Sequence, residues 1–426
     1  MFKRRTGVTL AAPLAALATT IAWAHNPPTA GQVLDNFANI AQATYGDALT
    51  TAKDLQKAIA KLLEAPNDVN LAAARNAWIA ARVPYQQSEA FRFGNKVVDD
   101  WEGKVNSWPL DEGLIDYVDA SYGTDNPENP LFIANIIANT TLKIGGETVD
   151  TTTITKELLA DKLQEAGGVE ANVATGYHAI EFLLWGQDLN GTDAGAGIRP
   201  ATDYDLKNCT GGHCDRRATY LKIVTDLLVD DLTDMHQKWD KNGEARKAAT
   251  GDGAKGGLAT IFTGMGSLSY GELAGERMKL GLLLHDPEEE HDCFSDNTHN
   301  SHYFDVIGIR NVYLGAYKRT DGSEVKGPSV SDLVRAKAPQ ADAAVRKAIE
   351  TTVEKMAVLK KRAEGGERYD QMIGQGNTEG NAVVQAAIDA LIAQAKEFER
   401  AMVVLDLGSA HFEGSDSLDD PSKVVR

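Results

Sequence analysis

Apolar residues return every three or four positions through most of this 426-residue chain, the spacing that lines one face of a helix. The pattern predicts long helices over about 31–65, 69–96, 158–187, 215–241, 256–285, 329–364 and 380–407. These stretches are rich in Ala, Leu, Lys, Glu and Gln. Asn67-Asp68 and Ser329 supply helix starts, with Pro66 and Pro328 just ahead of them. Strand-like alternation is scarce. Thr140 to Ile154, with Gly145-Gly146 at its centre, reads as a short hairpin. The fold class is therefore all-α, built from antiparallel helices packed as bundles. Turn-rich linkers stand at 120–132, 188–212 and 242–256. A chain of this length exceeds a typical single core, which predicts two bundles, divided here as 25–200 and 201–426. The boundary falls within 188–256, and C-terminal segments are free to cross back.

The N-terminus changes the picture of where the chain works. Lys3, Arg4 and Arg5 precede an apolar stretch from Val8 to Ile21, and Ala22-Trp23-Ala24 forms an A-x-A site before His25. This is the pattern of a secretory leader over 1–24, and it predicts an exported, periplasmic protein. No later run of 18 apolar residues occurs, so no spanning segment is expected once the leader is gone. The net charge of −18 becomes more negative without the leader. Such a surface disfavours nucleic acid and anionic lipid as partners and is compatible with drawing in cations. Of three cysteines, Cys209 and Cys214 flank Thr-Gly-Gly-His in a turn-rich loop. In an oxidising compartment a disulfide is favoured there over a metal site. Cys293 is left as a free buried thiol or a soft ligand.

Candidate chemistry gathers in a few short runs. In Gly176-Tyr177-His178-Ala179-Ile180-Glu181, His178 and Glu181 are three apart and share a helix face. The apolar stretch Phe182 to Trp185 beside them belongs in an interior, where a carboxylate needs a partner or a cation. Two readings stay open, a plain His–Glu pair and part of a metal site. Four of the nine histidines, His285, His291, His299 and His302, crowd into 18 positions with Glu290, Asp292, Cys293 and Asp296. That density suits a transition ion or its surroundings. The spacing matches no tight zinc motif, and a solvated acidic loop over Asp286–Asp292 is the alternative. Glu89 and Arg92 sit three apart among aromatics, Asp111 and Glu112 follow Trp108-Pro109, and Glu276-Arg277 lies in a run of small residues. Asp188 to Asp193 faintly resembles a calcium loop but lacks its sixth-place Gly. Phosphate-binding loops, dinucleotide fingerprints, hydrolase elbows and His-Glu-x-x-His are all absent.

Taken in order, these runs resemble the imelysin-like proteins, the peptidase M75 family, and within it the iron-regulated protein A branch. Gly176, His178 and Glu181 match the family's G-x-H-x-x-E motif. Tyr85 to Gly94, Trp108 to Glu112, Gly275 to Met278 and His291 to His299 look typical of that branch. The resemblance spans about 30–410. It implies two helical bundles with a site at their interface, export to the periplasm or outer membrane, iron-regulated expression and a part in iron uptake beside an envelope transporter component. It implies a metal cofactor or cargo, iron or an iron complex first and zinc second, held by His178, Glu181 and Glu89. Arg92 and Arg277 would orient or neutralise carboxylates, with Asp111, Glu112 and Asp296 as further candidates. No catalytic residue is assigned. The competing functions are a zinc metallopeptidase of the M75 class and a non-enzymatic envelope protein that binds a peptide or glycan.

Overall fold

The computed structural model describes residues 27–409 and 411–425, and the leader expected at 1–24 lies outside them. The chain opens with α1 (Ala30–Glu64), which starts at a capping box on Thr29, where side chains satisfy the otherwise unpaired first amides. A three-residue turn leads into α2 (Asp68–Ser88), capped by Asn67 and extended by a tight turn at Glu89–Phe91. After α3 (Lys96–Glu102) comes a long irregular stretch carrying the predicted hairpin, strands Thr141–Ile144 and Glu147–Asp150. Then follow α4 (Gly176–Trp185), α5 (Cys214–Lys238), α6 (Glu244–Thr250) and α7 (Gly253–Ser267). From α7 the chain continues without a break through a π-helical stretch, Leu268–Lys279, into α8 (Leu280–Leu284). The remaining helices are α9 (Thr298–Leu314), α10 (Val330–Lys337), α11 (Pro339–Glu364), α12 (Tyr369–Ile373), α13 (Thr378–Val404) and α14 (Asp416–Asp419). A second small hairpin pairs Ala316–Lys318 with Glu324–Lys326. Helix makes up 64% of the described residues and strand 4%, so the hairpins trim a helical architecture rather than build it.

The helices sort into two groups. In one, α1 and α2 form a hairpin, α5 runs along α1, and α4 wedges against α2 and α5. In the other, α11 and α13 pair, with the π-helical stretch against α13. Helix α9 packs on α2 of the first group and α11 of the second. Helix α5 belongs with α1, so the chain stays in the first group past residue 200 and enters the second around α7. Gly308 makes the contact of α9 with α2 close, since a Cβ there would lie 2.5 Å from the Gln87 carbonyl oxygen.

The helix predicted over 158–187 is not continuous. Leu158–Leu163 forms one π-helical turn, and Gly167 and Gly168 follow at φ +74° and +76°. Only Gly176–Trp185 resumes as α-helix, every residue of it buried. Gly176 itself has φ +82°, and a Cβ on it would lie 2.4 Å from the Val105 oxygen. No other residue fits a backbone in that region against so close a neighbour.

Candidate metal centre

Helix α4, packed on α2 and α5, holds His178 and Glu181 fully buried, against the segment ahead of α9, the helix that packs on both groups. His178 Nδ1 and Glu181 Oε2 share a hydrogen bond of 3.0 Å. The other carboxylate oxygen of Glu181 accepts from the Ser295 amide at 3.0 Å and its hydroxyl at 2.6 Å. Glu181 thus fixes the imidazole ring and leaves Nε2 facing inward, without a hydrogen-bond partner among the described residues. A carboxylate behind a histidine in this way sets the ring's orientation and raises its basicity toward a cation.

The segment ahead of α9 completes the cluster. His291 and Asp292 are buried, and with His178 they offer three ligand atoms all within 4.8 Å of one another. The His178 and His291 rings meet edge to face, centroids 4.8 Å apart, with Trp108 beside His291 and His302 beyond it. Asp292 is held from several sides: Arg82 Nη2 donates to Oδ1 at 3.0 Å, Asn297 to Oδ2 at 2.8 Å, and Ser301 also to Oδ2. Against the cost of burial, Arg82 and His291 keep Asp292 well below the usual carboxylate range. Burial, reinforced by the charge on Arg82, holds His178 well below the ordinary imidazole value, and burial with Arg277 does the same for His291. Both imidazoles are therefore neutral and able to ligate. Burial and the nearby Asp292 push the Glu181 carboxyl up. Two neutral imidazoles and an ionised carboxylate suit a borderline divalent ion such as iron(II) or zinc. The unpartnered Nε2 of His178 and both unpartnered ring nitrogens of buried His302 are the kind of orphaned polar atoms that an ion or ordered water would satisfy. Any cation taken up shares Asp292 with Arg82.

The other sequence candidates are placed differently. Glu89 is buried at the end of α2, but its carboxylate is claimed by Arg277, Nη2 to Oε2 at 2.8 Å. It does not join the His178 cluster. Arg277, on the π-helical stretch, also pairs with Glu272 at 2.7 Å and Asp305 at 3.3 Å. Arg92 binds Asp99 at 2.9 Å and Glu272 at 3.3 Å, nearer the surface. Asp111 accepts from Asn129. Glu112, pushed up to about 7 chiefly by burial, lines a small cavity with Asp188, Glu288, Glu290 and Cys293. Asp296 lies one residue past Ser295 and turns away into a separate group of carboxylates.

The loop over Asp286–Asp292 is not simply solvated: Glu290, His291 and Asp292 are buried. His285 caps a helix end and binds the Ile373 carbonyl at 2.6 Å, away from the cluster. Cys209 and Cys214 are joined as a disulfide. Cys293 is a free thiol, pushed up by desolvation and by Glu288, and so is not a thiolate at neutral pH. Sequence reading placed His291 and Asp292 in a dense His/Asp cluster without singling them out, and it missed Arg82 altogether. Arg82 sits on an otherwise ordinary amphipathic helix, and nothing local marks it.

A helical molecule with a buried imidazole–carboxylate cluster where its two groups of helices meet is the class of protein these features define. The sequence profile of the imelysin family, peptidase M75, matches residues 41–398, and the chain belongs to that family. It is 36% identical over 72 residues to "Iron-regulated protein A" of Synechococcus elongatus, a stretch covering 17% of this chain and 20% of that protein. The fold is similar to a crystal structure described as an iron-regulated protein A precursor from Parabacteroides distasonis, with TM-score 0.62, 20% identity, and coverage of 89% of this chain and 97% of that one. It is similar also to an imelysin-like protein from Psychrobacter arcticum, with TM-score 0.53, 15% identity and 90% and 98% coverage. At those identities the two structures speak to the fold alone. No helix among the described residues is long and apolar enough to cross a membrane.

Proposed function

We propose that this is an exported binding protein of bacterial iron uptake, which holds iron, as the ion or a small complex, between its two helical groups. The observation that carries the reading is the convergence of His178, His291 and Asp292 with ligand atoms within 4.8 Å, on a His178 ring oriented by Glu181. Membership of the imelysin family and the printed name of the Synechococcus relative, "Iron-regulated protein A", support an iron-related role. The leader pattern at 1–24 and the net charge of −18 fit an envelope protein that gathers cations and hands them to a transporter component. Zinc is the second metal the donor set suits.

The M75 label raises proteolysis as the rival activity. A catalytic zinc needs an open water position and a base beside it, and Glu181 is already bonded to His178 and Ser295. Anaerobic dialysis of the apo protein against iron(II) and against zinc, beside His178→Ala and His291→Ala, tests the reading. The expected result is one tightly held ion per wild-type chain, lost in His178→Ala and at least tenfold weaker in His291→Ala, with no cleavage of casein by the zinc-loaded protein. Unchanged binding in both variants would remove the site. Zinc-dependent casein cleavage lost in His178→Ala would favour the peptidase.

A further inference from the structure

A second cluster lies apart from the imidazoles, and its donors are all oxygen. Asp188 follows α4 in the loop to α5, Asp296 stands in the turn ahead of α9, and Asp370 sits in α12. Three elements far apart in sequence thus bring one carboxylate oxygen each to within 4.8 Å of the others. Asp296 is held at φ +55°, a left-handed backbone that few side chains adopt. The loop around Asp188 meets the end of α12 directly, since a Cβ on Gly374 would lie 3.1 Å from Thr192.

The hydrogen bonding of these groups points to a missing positive partner. Asp370 is 0% exposed and Asp296 4%. Both carboxylate oxygens of Asp370 and Oδ1 of Asp296 have no hydrogen-bond partner among the described residues. Asp188, half-buried, has Oδ1 held by the Asn190 amide at 2.9 Å and its side chain at 2.6 Å. Arg368 acts electrostatically on Asp296 but forms no ion pair with any of the three among the described residues. Buried carboxylates left unpaired and facing one another are strongly destabilising.

We propose that Asp188, Asp296 and Asp370 form a second cation site, distinct from the His178 cluster, that takes a hard, oxygen-preferring divalent ion of the calcium or manganese class. Carboxylates without imidazole or thiolate select hard ions. Separations within 4.8 Å fall inside the roughly 5 Å that opposed ligand oxygens span across a calcium-sized ion. Water or backbone carbonyls fill the remaining positions, as is usual for such ions. An ion here ties the loop after α4, the turn before α9 and α12 together. The His291–Asp296 segment then carries His291 and Asp292 for the first site at one end and Asp296 for the second at the other.

The test uses the whole apo chain with calcium in a thermal melt and manganese(II) counted by electron paramagnetic resonance. Wild type, His178→Ala and Asp370→Asn are compared. Calcium is expected to raise the melting temperature of wild type and His178→Ala alike. In Asp370→Asn, manganese affinity should fall at least tenfold while iron(II) binding at the His178 cluster is retained. The Asp370→Asn apo protein should melt no lower than wild type, because a buried carboxyl without a hydrogen-bond partner has been replaced by a neutral group. Should that variant fail to fold, Asp188→Asn gives the same reading at a half-exposed position. Calcium and manganese binding undiminished in the folded Asp variant, or absent from wild type, would overturn the proposal. Loss of manganese in His178→Ala alone would show a single site.

Discussion

At the residue scale the site turns on a division of labour that spacing alone could not reveal. His178 and Glu181 share a helix face as their three-residue interval requires, but Glu181 faces the ring of His178 and the Ser295 amide rather than the Asp292 cluster. We propose that it positions the ring rather than serving as the ligand the motif suggested. Glu181→Gln is therefore expected to weaken iron(II) or zinc binding by roughly 10- to 100-fold, the usual cost of losing such a partner, without abolishing it, whereas His178→Ala abolishes it. Titration against a competing chelator separates the two, and equal loss in both variants would make Glu181 a ligand. His178 and Glu181 were legible because one short motif carries both. Asp292 and His291 were legible only as members of a crowd, since what selects them is the fold of a loop. Glu89 looked eligible because a buried acid needs a partner, and the partner proved to be Arg277, 188 positions away in sequence.

At the scale of elements, the helices with one apolar and one polar face were readable, and so were their capped starts at Asn67 and Ser329. Two failures have different physical origins. The periodic run from 158 continued on paper to 187, but glycines at 167, 168 and 176 take positive φ and break it. Helix α9 escaped the pattern because its polar residues, His302 and Asp305, are buried, whereas amphipathic reading assigns polar positions to water. Gly176 marks the start of α4 and is the element-level test. Gly176→Ala should destabilise the fold by more than about 2 kcal/mol, combining left-handed strain with overlap on Val105. A denaturant melt checks this, and a cost under about 0.5 kcal/mol, typical of a neutral surface change, would mean the backbone there relaxes freely.

At the scale of the whole molecule, the two helical groups enclose an interior rich in ionisable groups, and stability should follow their protonation. Glu102, near Arg92, is pushed up to about 7, chiefly by burial, with Arg92 pulling it down and Glu89 and Glu272 pushing it up. It binds its proton more tightly folded than unfolded. Its stabilising contribution is complete below the ordinary carboxylate range, near pH 4, and is lost as pH rises through 7. The apo protein should accordingly melt lower at pH 8 than at pH 6, and Glu102→Gln should flatten that slope. An identical slope in the variant would place the effect on other buried acids. In the proposed function, iron sits on the ring of His178. Anomalous diffraction at the iron edge, on crystals of the iron(II)-loaded mature chain, tests it most directly. One strong peak is expected about 2.1 Å from His178 Nε2, the usual metal–imidazole distance, with His291 and Asp292 around it. Iron bound elsewhere, or no peak beside a well-ordered His178, would contradict it.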